Sequence, residues 1–118
     1  MRVLVCLALR RAGLDVIEAT DGTALSAHID RLATDPVDLI VTDVRMPGPS
    51  GLEVIEQLRC SDTTTPVIVM TAFADARSRQ RAHALGATLL DKPFELMDLR
   101  ALALQLLHIL APTQGQPA

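Results

Sequence analysis

An α/β fold built on a parallel sheet is the architecture this sequence predicts, and two observations carry it. Short aliphatic, often β-branched runs alternate with stretches of helical spacing along the 118 residues. The runs are apolar throughout instead of alternating with polar residues, which suits strands covered on both faces.

The runs are Val3-Leu4-Val5, Val16-Ile17, Leu39-Ile40-Val41 and Val67-Ile68-Val69-Met70, with Leu89-Leu90 as a weaker fifth. After the first run, Cys6 to Ala12 offers only a short helix. After the second, the turn Asp21-Gly22 opens a helix whose Leu25, Ile29 and Leu32 share one face, stopped at Asp35-Pro36. Leu52, Ile55 and Leu58 make the next stripe, and Ser50 with Glu53 forms a capping-box pattern at its start. Residues 76–85 predict a polar helix closed by Gly86. The last helix carries Leu96, Leu99, Leu102, Leu106 and Leu110 on one side, and Pro112 ends it. One domain is expected over residues 1–111, with 112–118 a polar tail or the start of a linker.

Open sheets of this kind bind ligands outside the carboxyl ends of their strands. The residues at those ends are Thr42-Asp43, Thr71-Ala72 and Asp91-Lys92. An acid, a hydroxyl and an amine therefore converge. A carboxylate can attack phosphorus to form an acyl phosphate; the amine can pair with that carboxylate or with phosphoryl oxygens; the hydroxyl can donate to the same oxygens. Spacing alone leaves a plain alternative equally open, in which Asp43 caps a turn, Lys92 is solvated and Thr71 ends a strand.

Composition narrows the function classes. Hydrophobic residues make up 49% of the chain, enough for a core, while aromatics are 2% and the net charge is −3. Stacking platforms for single strands need rings, and duplex binding needs a concentrated basic face, so no direct nucleic-acid contact is expected. Cys6 and Cys60 have no partner at metal-ligand spacing. No apolar run reaches the ~20 residues that span a bilayer. The N-terminal apolar stretch precedes its basic pair, the reverse of a secretory signal, so no membrane contact and a cytoplasmic setting are expected. No strand is followed by a glycine-rich phosphate loop, which argues against a nucleotide-binding enzyme. His28, His83 and His108 sit on helical stretches away from acid or Cys clusters, as surface histidines. Arg77, Arg79 and Arg81 read as a solvated face or, more sharply, as an electrostatic docking surface.

Several motifs taken together resemble the receiver domain of bacterial two-component response regulators. Thr42-Asp43-Val44-Arg45-Met46-Pro47-Gly48, continuing through Gly51-Leu52-Glu53, is similar to the phosphoacceptor loop of receivers, especially those of nitrogen-regulator type. Met70-Thr71-Ala72 resembles the family's fourth-strand signature; Leu85-Gly86-Ala87 followed by Lys92-Pro93-Phe94 resembles its fifth; Glu18-Ala19-Thr20-Asp21-Gly22 resembles its second strand and turn. The likeness runs from about Ala8 to Leu110.

This resemblance implies a flavodoxin-like, doubly wound (βα)5 three-layer sandwich with parallel strand order 2-1-3-4-5. It implies a phosphorylated signalling domain, not an enzyme in the ordinary sense. Asp43 would accept the phosphoryl group from a sensor histidine kinase, a phosphotransfer protein or a small donor such as acetyl phosphate. Lys92 would bind phosphoryl oxygens ahead of a cis Lys92-Pro93 bond. Thr71 would swing towards the phosphate and reshape the surface of the family's fourth and fifth elements, to control an output domain, a partner or a homodimer. Asp43 and the Arg45 backbone carbonyl would contact Mg2+. Leu89 stands where an aromatic switch residue is usual; Ala72 keeps the site open; the bulky Arg45 and Phe73 side chains would slow hydrolysis.

One departure bears on all of this. Receivers follow their first strand with a pair of acids that hold magnesium, and here Val5 runs straight into Cys6. A βα connection usually takes ~2–6 residues, and a helix over Cys6 to Ala12 is only ~10 Å long. The first helix thus reads as truncated, with residues missing between Val5 and Cys6 by deletion or by omission. If the acids are lost, magnesium binds weakly or not at all, and a phosphorylation-impaired interaction module becomes the alternative function.

Overall fold

The computed structural model describes residues 2–45, 48–62, 64–72 and 75–110. In chain order the elements are α1 (Arg2–Arg11), α2 (Gly22–Asp30), β1 (Ile40–Asp43), α3 (Gly51–Arg59), β2 (Val67–Thr71), α4 (Ala76–Ala84), β3 (Thr88–Asp91) and α5 (Leu96–Leu110). The strands form one parallel sheet in the order β1-β2-β3.

Two apolar clusters lie on opposite faces of that sheet, because neighbouring side chains of a strand point to opposite sides. Val67 and Val69 meet Ile29 of α2, Leu52, Ile55 and Leu58 of α3, and Ala82 of α4. Ile68 and Met70 meet Val5 and Leu9 of α1 and Leu99 and Ala103 of α5. All five residues of β2 are buried, so the continuous apolar run has the doubly covered place expected of it. The three-layer α/β/α arrangement follows.

The sheet has three strands among the described residues, not five. Val3-Leu4-Val5 is helical and lies within α1. Val5, Cys6 and Leu9 point inward at helical spacing while Val3, Leu4 and Leu7 face solvent. Propensity here is a weak prior, and burial of one stripe against α5 decides the outcome. Residues 14–19 belong to neither a helix nor the sheet ladder. Leu14 and Val16 pack on the α1/α5 cluster, and Ile17 is exposed. The run Val16-Ile17 is thus strand-like in its alternation but unpaired. The observed order β1-β2-β3 corresponds to the last three positions of the expected 2-1-3-4-5.

The first helix spans ten residues and runs through Val5–Cys6. It closes at Gly13, which takes a φ of +91°. Gly13 N–H donates to Arg10 O, and Leu14 N–H donates to Leu9 O, the paired bonds of a Schellman stop.

The remaining ends obey local chemistry. Asp21 caps α2 by accepting from Ala24 N–H at 2.8 Å. Ser50 caps α3 by accepting from Glu53 N–H at 3.2 Å, the expected half of the capping box. Gly86, φ +70°, ends α4 as predicted, with Ala87 N–H donating to Ala82 O. Leu32 falls in the turn after α2, beyond its last helical residue. Residues 111–118, and with them the tail, lie outside the described residues.

Candidate functional site

The register brings three strand ends level. Asp43 pairs with Met70, and Thr71 pairs with Asp91. Neighbouring strands lie about 4.8 Å apart, so Asp43, Thr71 and the residue after Asp91 occupy one edge. The chain leaves β3 with Lys92 N–H donating to Thr71 O at 2.7 Å, which fixes the start of that lysine against β2. The Lys92–Pro93 peptide is cis.

From there the Lys92 ammonium forms an ion pair with the Asp43 carboxylate; the two side chains are 26% and 30% exposed. Fully exposed pairs are worth ~0–1 kcal/mol, and this one is partly shielded. Shielding on this scale strengthens the attraction without removing both groups from water. The pair lines an open cleft of about 150 Å³ with Val44, Arg45, Met70, Thr71 and Ala72. That room suits several waters or one small tetrahedral group.

The β1–α3 connection is packed closely behind the carboxylate. Val44 N–H donates to Met70 O, and Gly51 N–H donates to Val44 O at 2.9 Å. A Cβ on Gly51 would stand 2.0 Å from the Asp43 carbonyl oxygen. Only a residue without one lets α3 begin this near the strand end.

Of the expected site residues, Asp43, Lys92, Thr71, Ala72 and Arg45 share the cleft. Thr71 is 7% exposed. Leu89 does not line the cleft; it is partly buried against the α2/α3 cluster and pairs with Val69. Phe73 lies outside the described residues. Among the described residues, Asp43 is the carboxylate that lines the cleft, and no three His, Cys, Asp or Glu side chains cluster for a metal. Magnesium is usually held by one or two carboxylates with phosphate oxygens and water. Asp43 and the Arg45 carbonyl are thus an incomplete set by themselves.

Sequence reasoning missed the ion pairs around α4. Arg79 binds Asp91 at 2.8 Å, and Arg81 pairs with Glu56 of α3. Two of the three arginines proposed for docking are thereby engaged within the domain. Their acids lie 12 and 25 positions away in sequence, so no local pattern announces them. A larger open cleft of about 510 Å³ lies between the ends of α2 and α3. Its carboxylates are already occupied: Asp30 accepts from Gln57, and Asp62 accepts from Thr64 and Thr65. Those bonds hold the Asp62 carboxyl down at about 2, the Thr65 hydroxyl contributing most. No helix among the described residues is long and apolar enough to cross a membrane.

Comparison with known proteins decides the family. Residues 1–104 match the response regulator receiver domain. The chain belongs to that family. The DNA-binding transcriptional regulator NtrC of Klebsiella pneumoniae is 35% identical over 96 residues, which is 80% of this chain and 20% of that protein. The receiver therefore spans about a fifth of that relative's length. Sporulation initiation phosphotransferase F of Bacillus subtilis (strain 168) is 30% identical over 101 residues, covering 85% of this chain and 79% of that protein. Among solved structures, the chemotaxis protein CheY4 of Vibrio cholerae superposes with a TM-score of 0.75 at 30% identity, covering 89% of this chain and 88% of that one. The flavodoxin-like α/β class of the receiver stands with it. As a family, receivers are signalling domains of two-component systems that bind Mg2+ and meet histidine kinases or phosphotransfer proteins.

Proposed function

We propose that this receiver accepts a phosphoryl group on Asp43 and uses it to switch the surface formed by α4, β3 and α5. The observation that supports it most is the Lys92–Asp43 ion pair at the carboxyl edge of the sheet, with Thr71 alongside. An Asp43 oxygen attacks phosphorus, and the bond to the donor's imidazole nitrogen or acetate oxygen breaks; a histidine leaving group takes up a proton. Lys92 gives up its carboxylate contact for the phosphoryl oxygens and neutralises part of their charge. The Thr71 hydroxyl donates to the same oxygens, which draws the end of β2 towards the site. The added charge is about −1.5 to −2 at neutral pH. Asp43 and the Arg45 carbonyl would hold magnesium, which would supply further charge neutralisation at the phosphoryl oxygens. Ala72, exposed beside the cleft, leaves room for the donor, while Leu89 and Phe73 tune the switch and the phosphoryl lifetime.

The donor is a sensor histidine kinase or a phosphotransfer protein, and the target an output domain or a second copy. Two cysteines outside any disulfide and this partner class suit the reducing cytoplasm. The domain occupies residues 1–111, and 112–118 serves as a linker or tail. A phosphorylation-impaired interaction module is the second reading, favoured by Asp43 being the one carboxylate that lines the cleft among the described residues. The two separate on one test. Lys92→Met should slow phosphoryl uptake from acetyl phosphate at least tenfold while the fold persists by circular dichroism. Equal uptake by both proteins contradicts the role of Lys92, and no uptake by the wild type favours the module.

A further inference from the structure

We propose that Arg79, acting through Asp91, is a positioning residue that holds Lys92 in place and ties α4 to the phosphoacceptor edge. Asp91 is the last residue of β3 and the immediate predecessor of Lys92. It stands in register with Thr71, and Lys92 N–H donates to Thr71 O. Leu89 packs on the α2/α3 cluster and Leu90 on the α1/α5 cluster. Strand alternation therefore turns Asp91 to the same face as Leu89, the face on which α4 lies. There Arg79 donates to its carboxylate at 2.8 Å.

The same helix is fixed at its start by Asp75, which accepts from Ser78 N–H at 2.7 Å, and on its other flank by Arg81 pairing with Glu56. Of these three ties, only the Arg79–Asp91 contact ends on the strand that leads into Lys92. Beside the short turn that joins α4 to β3, this contact gives α4 a side-chain route to the Lys92 backbone, through one ion pair and one peptide unit. Both partners are about half exposed, so the tie is weak. A weak tie can bias a two-state helix without locking it. The inference rests on Lys92 being the amine that meets the phosphoryl group.

Amide hydrogen exchange of the unphosphorylated full chain, followed by NMR, tests it. The variants are Arg79→Gln, Asp91→Asn and the double substitution, with melting temperature as a fold control. A positioning role predicts that both single variants speed exchange of the Lys92 amide roughly two- to fivefold. It also predicts that the double variant goes no further than either single one, and that the Val69 amide in β2 is unchanged. A purely electrostatic role gives opposite signs, because losing a cation repels the hydroxide catalyst and losing an anion admits it. Opposite signs, additive effects, no change at Lys92, or equal loosening at Val69 each overturn the proposal. Phosphoryl uptake by wild-type protein is scored separately, so failure of the phosphoacceptor reading is told apart from failure of the tie.

Discussion

Gly51→Ala puts the close packing behind Asp43 to a quantitative test. The new methyl carbon would stand 2.0 Å from the Asp43 carbonyl oxygen and 3.0 Å from both the Asp43 carbonyl carbon and Thr42 Oγ1. Two of those obstacles are backbone, so no rotamer change relieves them. The start of α3 must back away by about 1 Å, against the 2.9 Å bond from Gly51 N–H to Val44 O. Overpacking of this sort costs about 1–3 kcal/mol, and a backbone obstacle places it at the upper end. The gain in helix propensity from Gly to Ala, up to about 1 kcal/mol, offsets part of it. A net loss of about 2 kcal/mol should lower Tm by about 8 °C for a domain of this size. Gly86→Ala is the control: its φ is +70° but the nearest atom to a new Cβ is 4.0 Å away, so its cost is the left-handed backbone alone, about 1–2 kcal/mol. Thermal melts followed by circular dichroism read both. A Gly51→Ala Tm within 2 °C of the wild type, or a milder effect at Gly51 than at Gly86, would refute the packing argument.

Two further predictions concern stability. Leu58→Ala removes a side chain that is 0% exposed and should cost about 2–5 kcal/mol in urea unfolding at an unchanged m-value; a cost below 1 kcal/mol contradicts its place at the centre of the α2/α3 cluster. Asp62→Ala should destabilise the domain by about 1 kcal/mol near neutral pH, after discounting for solvent screening. The folded-state value of Asp62 is lowered from 3.8 to about 2, so its contribution is complete above the unfolded value and is lost as pH falls from about 4 towards 2. The gap between variant and wild type should close over that window, and a gap that stays constant or widens argues against the Thr64–Thr65 turn as its source.

The meeting of Asp43, Thr71 and Lys92 at one edge was legible because each follows an apolar run closely, and a parallel register levels the ends of such runs. β2 was clear for the same reason: Val67 to Met70 is apolar, short and covered on both faces. α3 announced itself through Ser50 and Glu53, and α4 through Gly86, each a local signal with a local cause. Val3-Leu4-Val5 misled because a three-residue aliphatic run has no period of its own. Its helical state is decided by Val5 and Leu9 packing on Leu99 and Ala103, partners about 90 residues away. Val16-Ile17 has the alternation of a strand, but pairing needs a neighbouring edge, which a short run cannot specify. Arg79–Asp91 escaped for a related reason, since it depends on where α4 lies over the sheet. Leu89, read as a switch position from its distance to Lys92, packs against the α2/α3 cluster.

The central claim is that Asp43 is the phosphoacceptor, and intact mass spectrometry tests it most directly. The purified chain and its Asp43→Ala variant are weighed before and after incubation with acetyl phosphate and magnesium. The account predicts a gain of one phosphoryl group in the wild type, lost on brief alkaline treatment as an acyl phosphate should be, and no gain in the variant. A wild-type chain that gains nothing, or a variant that gains as much, would contradict it.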